Sequence, residues 1–238
     1  MIRYMQDSEV LAPLAAEALL LFTSIRRSLF ATPDLTMEYF QSIMNSLLRI
    51  LQSSKHMDDQ DCHSFIAQTL SKLKANLQLG EMVKFPRFSE FFQAVTQFVV
   101  HSIQSRGYLK DLPFILILIS RFLEAVRFTS IPIFNYMNED VFKNCIFSIN
   151  QAYFQTFIQQ VDDYLYNDEF NPLQNIELVF KHCDQLGIMF TYQYDRVAEM
   201  ITTSFDGFAN QAVQLMKQAD EGQLTEAGYA GLKKMDCR

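Results

Sequence analysis

The chain has 238 residues, of which 49% are hydrophobic and 20% are charged, a composition too apolar for an intrinsically disordered protein. Only seven glycines and six prolines occur, too few turn residues for a β-rich fold of this length. The net charge of −7 is concentrated in residues 128–238, which hold 7 basic and 15 acidic residues. This acidic half argues against general nucleic-acid binding and favours either a basic protein partner or an ordinary solvated surface.

The helical spacing of apolar residues along almost the whole chain is the main structural signal. It predicts eight helices, with errors of a few residues at their ends, near residues 8–29, 34–53, 60–77, 87–105, 111–127, 138–165, 173–186 and 192–218. Paired in order, they form antiparallel hairpins of about 40–50 residues, the period of HEAT-type repeats. The predicted fold is therefore all-α: an α-solenoid of about four HEAT-type antiparallel helix hairpins over residues 1–224, with a divergent tail at 225–238 that we expect to be disordered.

Start and stop signals support these helices. Thr32, Pro33 and Asp34 place a capping hydroxyl, a proline and an acid where a helix should begin. Gly80, Gly107 and Gly187 lie where the helical pattern lapses, and we expect them to act as C-terminal caps. Residues 112–119 are apolar around the whole helix, as expected of a helix buried between neighbouring repeats. This segment is much shorter than the roughly 20 apolar residues of a membrane span, and no signal peptide is predicted.

Four cysteines, Cys62, Cys145, Cys183 and Cys237, lie far apart and form no Cys-x-x-Cys pair. We expect a reduced, intracellular protein in which Cys62, Cys145 and Cys183 are small core residues. Two cysteines adjoin histidines, in Cys62-His63 and His182-Cys183. Because adjacent residues point about 100° apart on a helix, neither pair can clamp a metal from one face, and no metal site is predicted.

Asp58, Asp59 and Asp61 form the most enzyme-like feature. Clustered carboxylates hold Mg²⁺ and diphosphate in all-α prenyl transferases, because hard cations prefer carboxylate oxygens. Such an enzyme needs a second acidic motif, and Asn167-Asp168 lacks the hydroxyl and Glu that should follow it. The favoured interpretation is acids at a helix N-terminus, stabilised by its dipole. Gly-x-Ser-x-Gly elbows and glycine-rich phosphate loops are absent from the sequence, so we predict no catalytic residue and no cofactor.

Four stretches carry a family resemblance. Residues 25–30 read Ile-Arg-Arg-Ser-Leu-Phe, and residues 73–84 read Leu-Lys-Ala-Asn-Leu-Gln-Leu-Gly-Glu-Met-Val-Lys. A tyrosine-led helix covers residues 194–211, and residues 221–225 read Glu-Gly-Gln-Leu-Thr. In order and spacing these stretches resemble the exportin-7 and Ran-binding protein 17 family of importin-β-like receptors, which reads Val-Arg-Arg-Ser-Leu-Phe and Leu-Lys-Ser-Asn-Tyr-Gln-Leu-Gly-Glu-Leu-Val-Lys in the first two. The resemblance is to an internal segment and covers most of residues 1–225.

This resemblance implies a binding scaffold without catalytic residues. It implies protein cargo and, in the full-length receptor, GTP-bound Ran as partners, with nuclear pore proteins as a further class, and shuttling between nucleus and cytoplasm. Nucleic-acid binding and membrane insertion are not expected. The alternatives are a generic helical-repeat interaction scaffold and, more weakly, a Mg-dependent diphosphate enzyme. No Ran-contacting residue is assigned, because the family's main Ran-binding repeats lie N-terminal to this region. The acidic candidates for contact with a basic partner are Asp162, Asp163, Asp168 and Glu169.

The chain also departs from the family. Phe22 and Ser120 stand where the family has tryptophans. After Thr225 the family continues into a Trp-led apolar helix, whereas residues 226–231 read Glu-Ala-Gly-Tyr-Ala-Gly. We therefore expect a truncated product or an incomplete gene model, an uncovered apolar face on the last hairpin, and self-association through it.

Overall fold

Nine helices make up most of the computed structural model, which describes Met5, residues 8–53, 55–105, 112–128, 132–167 and 176–222, and Gly228. Over these residues there is no strand, which confirms the all-α prediction. The helices are α1 Ala12–Thr23, α2 Pro33–Ser53, α3 Gln60–Asn76, α4 Leu79–Met82, α5 Phe88–Gln104, α6 Leu112–Phe128, α7 Glu139–Asn167, α8 Ile176–Phe190 and α9 Tyr194–Asp220. Short 3-10 turns occupy Arg27–Leu29 and Ile133–Asn135.

The helices form two layers, because each long helix packs beside the long helix two places away in the chain. One layer contains α1, α3, α6 and α8 in that order, and the other contains α2, α5, α7 and α9. The layers contact each other where α1 meets α2, α5 meets α6 and α7 meets α8. The chain thus alternates between layers through four successive helix pairs, as in the predicted helical-repeat solenoid.

The helix starts follow from local capping. Thr32 Oγ1 accepts a hydrogen bond from the Leu35 backbone N–H at 3.3 Å, and Pro33 is the first residue of α2. The side chain of Asp59 accepts a hydrogen bond from the Cys62 backbone N–H at 2.8 Å and caps α3. These contacts satisfy backbone N–H groups that have no partner within the first helical turn.

Some predicted boundaries were wrong. The first helix was predicted over 8–29, but α1 ends at Thr23 and a separate 3-10 turn follows. Gly80 lies inside α4 and Gly187 lies inside α8 rather than at a C-terminal cap; Gly107 is outside the described residues. A helical Gly costs about 1 kcal/mol relative to Ala, and the burial of Leu186 and Met189 on either side of Gly187 compensates for that cost and carries α8 to Phe190.

The core is continuous through both layers. Its aromatic centre joins three helices: the Phe92 ring of α5 lies 5.0 Å from Phe122 of α6 and 5.5 Å from Phe142 of α7, measured between ring centroids. Helix α6 packs on α3 along one side and on α8 along the other. Its residues Leu112, Ile115, Leu116 and Ile119 are buried, which confirms the predicted burial between repeats for most of this segment. Phe114, however, is 44% exposed, so the helix is not buried on every side.

The connection after α1 is fastened to the connection after α3. The Arg27 guanidinium donates to Glu81 through both Nη atoms, at 2.8 and 2.6 Å, and Asn76 Nδ2 donates to the Thr23 carbonyl at 2.6 Å. Glu81 Oε2 also accepts a hydrogen bond from the Gln78 backbone N–H at 2.9 Å. The Glu81 carboxylate thus caps the start of α4 and links the two connections.

Candidate protein-interaction surfaces

The predicted acidic contact residues fall at the end of α7. Asp162 and Asp163 belong to that helix, which ends at Asn167, but their side chains are not among those described. Asp168 and Glu169 lie outside the described residues. The role of these four acids therefore stays a prediction.

The aspartates at residues 58–61 support the helix-start interpretation. Asp59 caps α3, and Asp61 lies in its first turn. The Asp58 side chain is 97% exposed, and its Oδ1 lies 3.8 Å from His101 Nε2. Within the described part of the chain, no group of three His, Cys, Asp or Glu side chains is placed to hold a metal ion. A facing acidic motif, which a diphosphate enzyme requires, is therefore missing among these residues.

The two His-Cys pairs lie on different helices on opposite sides of α6. His63 Nε2 is 2.7 Å from Ser102 Oγ, and its ring stacks on Phe98 at 4.6 Å. His182 Nδ1 is 3.0 Å from the Tyr153 hydroxyl. Both rings are buried and serve packing between helices.

The prediction that three cysteines are core residues is confirmed for Cys62 and Cys145 but wrong for Cys183, which is exposed. Its neighbour His182 faces the interior, and the next residue along a helix points about 100° away. Burial, followed by the nearby carboxylates of Asp59 and Asp61, raises the pKa of the Cys62 thiol to about 12. That thiol stays protonated and unreactive at neutral pH.

A groove of about 520 Å³ runs between α5 and α7 on the surface of the second layer. Val100, Val141 and Cys145 contribute its apolar part. Its other lining residues are polar: Gln93, Thr96, Gln97, His101 and Gln104 from α5, and Asn144 and Ser148 from α7. None of the described residues that line it is an Asp, Glu, Lys or Arg. Its size falls within the range of about 300–1,000 Å³ that is typical of ligand sites.

The neighbouring helix α9 holds one side of this groove in place. Arg196 Nη1 donates to Asn144 Oδ1 at 2.8 Å, and the Arg196 guanidinium carbon lies 3.9 Å from the centroid of the Phe147 ring. This cation–π contact and hydrogen bond fix Asn144 with its amide nitrogen still able to donate.

The groove was not predicted, although the sequence carries a signal for it. Gln93, Gln97 and Gln104 occupy the polar face of α5, opposite the row of phenylalanines that enters the core. A polar face next to a strong core stripe is normally solvated surface. The pairing with Asn144, 40 residues further along the chain, becomes visible only once α5 and α7 lie side by side.

The last hairpin presents an apolar row on α9. Val197 is 2% exposed, whereas Ile201 is 37%, Phe205 is 70% and Met216 is 57% exposed. The last hairpin thus exposes apolar side chains along α9. Among the helices that the structure describes, none has both the length and the apolar character needed to cross a membrane.

Comparison with known proteins supports the resemblance seen in the sequence. The chain is 24% identical over 227 residues to Exportin-7-A of Xenopus laevis, an alignment that covers 92% of this chain and 20% of that protein. It is 24% identical over 207 residues to Ran-binding protein 17 of Homo sapiens, covering 87% and 19%, and 23% identical over 215 residues to Ran-binding protein 16 of Drosophila melanogaster, covering 90% and 19%.

These relatives confirm the predicted family resemblance, and their names are those of an exportin and of Ran-binding proteins. The chain spans about a fifth of the length of the curated relatives that it matches. No family model matches the chain, and no solved structure matches it. Support for a helical-repeat fold therefore comes from the two-layered arrangement of the helices.

Proposed function

We propose that the chain is a segment of an exportin-7 family protein and that it forms part of the binding scaffold of a nuclear transport receptor. The observation that carries this proposal is the extent of the similarity, which runs through 92% of the chain. A stack of helix pairs suits the role, because solenoids present long surfaces to partner proteins.

In this proposal the segment contacts protein cargo and, within the full-length receptor, contributes to binding of GTP-bound Ran. Nuclear pore proteins are a further class of partner, and the receptor shuttles between nucleus and cytoplasm. The scaffold performs no catalysis. Residues 1–224 form the binding unit and residues 225–238 a divergent tail. The acidic half of the chain steers basic partner surfaces towards it.

The test compares the two nucleotide states of Ran. A full-length receptor that contains this segment is incubated with immobilised Ran carrying either GDP or a non-hydrolysable GTP analogue. We expect capture by the GTP form alone, together with a defined set of cargo proteins. Capture that is equal for both nucleotide states would instead identify a generic helical-repeat scaffold of another pathway.

A charge-reversal variant tests the acidic candidates within the same receptor. Asp162, Asp163, Asp168 and Glu169 are changed together to Lys, and partner affinity is measured between 50 and about 300 mM salt, where the Debye length falls towards 6 Å. We expect weaker binding and a smaller dependence on salt. The matched control reverses four exposed acids of the same half of the chain, namely Asp195, Asp206, Asp220 and Glu221. An equal effect of both variants would show a general charge effect rather than a contact site.

A further inference from the structure

The groove between α5 and α7 has unused hydrogen-bonding capacity of both kinds. The side chains of Gln97 and Gln104 are exposed and make no hydrogen bond with the described part of the chain. Gln93 donates its Nε2 to Ser89, at 3.2 Å to the carbonyl and 3.3 Å to the hydroxyl, which leaves Gln93 Oε1 to accept. Asn144 accepts from Arg196 through Oδ1, which leaves its Nδ2 to donate.

The chemistry of these groups selects the class of ligand. Anions such as phosphates are bound mainly by Lys or Arg, and cations by carboxylates, but the described lining contains neither. The histidine of the lining, His101, has its Nε2 3.8 Å from the Asp58 carboxylate. Carboxamides present a donor and an acceptor side by side. The matching ligand is one that alternates N–H donors and C=O acceptors, which is the main chain of a polypeptide.

The dimensions also fit an extended peptide. Gln93 and Gln104 mark the ends of the polar row on α5, and at 1.5 Å per residue their Cα atoms are separated by roughly 16 Å along the helix axis. An extended strand advances about 3.3 Å per residue, so the row spans about five peptide residues. Val100, Val141 and Cys145 lie between the polar rows and offer contact to small apolar side chains that project from alternate positions of the strand.

We propose that this groove binds an extended, uncharged peptide segment of about five residues from a partner protein, and that it reads the peptide main chain through Gln97, Gln104 and Asn144. The inference rests on the proposed role as a binding scaffold, and it adds the place and the chemistry of one contact. Specificity for the peptide sequence then comes from the shape of the apolar surface formed by Val100, Val141 and Cys145, since main-chain hydrogen bonds are independent of side-chain identity.

The experiment uses a phage-displayed library of random heptapeptides, selected on the full-length chain. Affinities of enriched peptides are measured by fluorescence polarisation against the wild type and the Gln97→Ala/Gln104→Ala variant. Because both glutamines are exposed and Ala favours helices, the variant should fold normally, which circular dichroism verifies. We expect its affinity to fall roughly tenfold, the effect of losing one to two hydrogen bonds. The matched control, Gln211→Ala/Gln214→Ala on the exposed face of α9, should bind like the wild type.

A second measurement uses the wild-type chain only and changes the peptide. Methylation of single main-chain nitrogens in the central five residues should weaken binding at every second position, because alternate N–H groups of an extended peptide face one side. Three results would overturn the inference. The peptides could bind the Gln97→Ala/Gln104→Ala variant as tightly as the wild type, methylation could leave the affinity unchanged at every position, or the selection could enrich no peptide. A full-length receptor with the Gln97→Ala/Gln104→Ala change could keep nucleotide-dependent Ran capture while its affinity for the peptides equals that of the wild type. Peptide binding by the groove would then be refuted, and the proposed function would stand.

Discussion

Replacing Glu81 by Ala should destabilise the protein more than the loss of a surface charge normally does. Glu81 accepts two hydrogen bonds from Arg27 and one from the Gln78 backbone N–H. Arg27 lies in the connection after α1, whereas Glu81 lies in α4, where its carboxylate caps the helix start. The substitution therefore removes a helix cap and a link between two connections that are 54 residues apart in sequence.

The magnitude follows from the exposure of the pair. The side chains of Arg27 and Glu81 are 39% and 23% exposed, so the pair lies between a surface ion pair, worth about 0–1 kcal/mol, and a fully buried charged hydrogen bond, worth about 1.5–3 kcal/mol. We assign about 1–2 kcal/mol to the pair and about 1 kcal/mol to the cap. The expected loss for Glu81→Ala is thus about 2–3 kcal/mol, and about 1 kcal/mol for Glu81→Gln, which keeps an acceptor for Gln78.

The assay is urea unfolding followed by circular dichroism for the wild type, Glu81→Ala, Arg27→Ala and the double variant. A double-mutant cycle isolates the pair, and we expect a coupling free energy of about 1–2 kcal/mol. A coupling free energy near zero would refute the assignment of stability to this pair. A loss below about 0.5 kcal/mol for Glu81→Ala, the range of ordinary surface substitutions, would refute the whole argument.

The same carboxylate should make stability depend on pH. Burial alone would raise the pKa of Glu81, but the hydrogen bonds from Arg27 and Gln78, with the Arg27 charge, lower it below the usual value of 4.5. The unfolded chain therefore binds the proton more readily than the folded one. The stabilisation is present above pH 4.5 and is lost as pH falls through the lower pKa of the folded state, and Glu81→Gln should abolish this contribution.

Further predictions concern the core, a buried histidine and the last helix. Leu116 is fully buried, so Leu116→Ala should cost about 2–5 kcal/mol in urea unfolding, whereas Leu21→Ala, at a side chain that is 65% exposed, should cost less than about 0.5 kcal/mol. Burial lowers the pKa of His182, so stability should fall as pH drops below about 6.5, where the unfolded chain takes up the proton first; a His182→Leu variant with the same pH profile would contradict this. Ile201→Gln/Phe205→Gln should reduce self-association in sedimentation velocity without loss of helix content, and a monodisperse wild-type monomer would refute the premise.

Most of the fold could be predicted because it depends on local signals. Seven of the eight predicted helices correspond to long helices whose starts lie within three residues of the prediction, since apolar spacing and caps such as Thr32 and Asp59 act within one or two turns. Gly187 and Cys183 were misjudged for a different reason. Whether a glycine ends a helix, or a cysteine faces the core, depends on what packs against that helix, and the sequence of the helix alone does not contain this.

The candidate groove could not be predicted because its two sides come from different hairpins. Gln97 and Asn144 are separated by 47 positions and by the whole of α6. On each helix taken alone, a Gln or Asn on the polar face is ordinary solvated surface. Only the packing of α5 against α7 turns two solvated faces into one concave site.

Residues that resemble the family sequence and residues that line the groove therefore have different roles, the first in stability and the second in the proposed peptide binding. Arg27, Asn76 and Glu81 belong to the two stretches that resemble the family most closely, and in the structure they fasten one connection to another. Their contribution is to the fold, so Glu81→Ala should lower stability and lower partner binding only as far as the chain unfolds. Gln97 and Gln104 make no hydrogen bond within the described part of the chain, so their replacement should lower binding at unchanged stability. Measuring stability and peptide binding on both variants separates residues that stabilise the fold from residues that contact the proposed peptide.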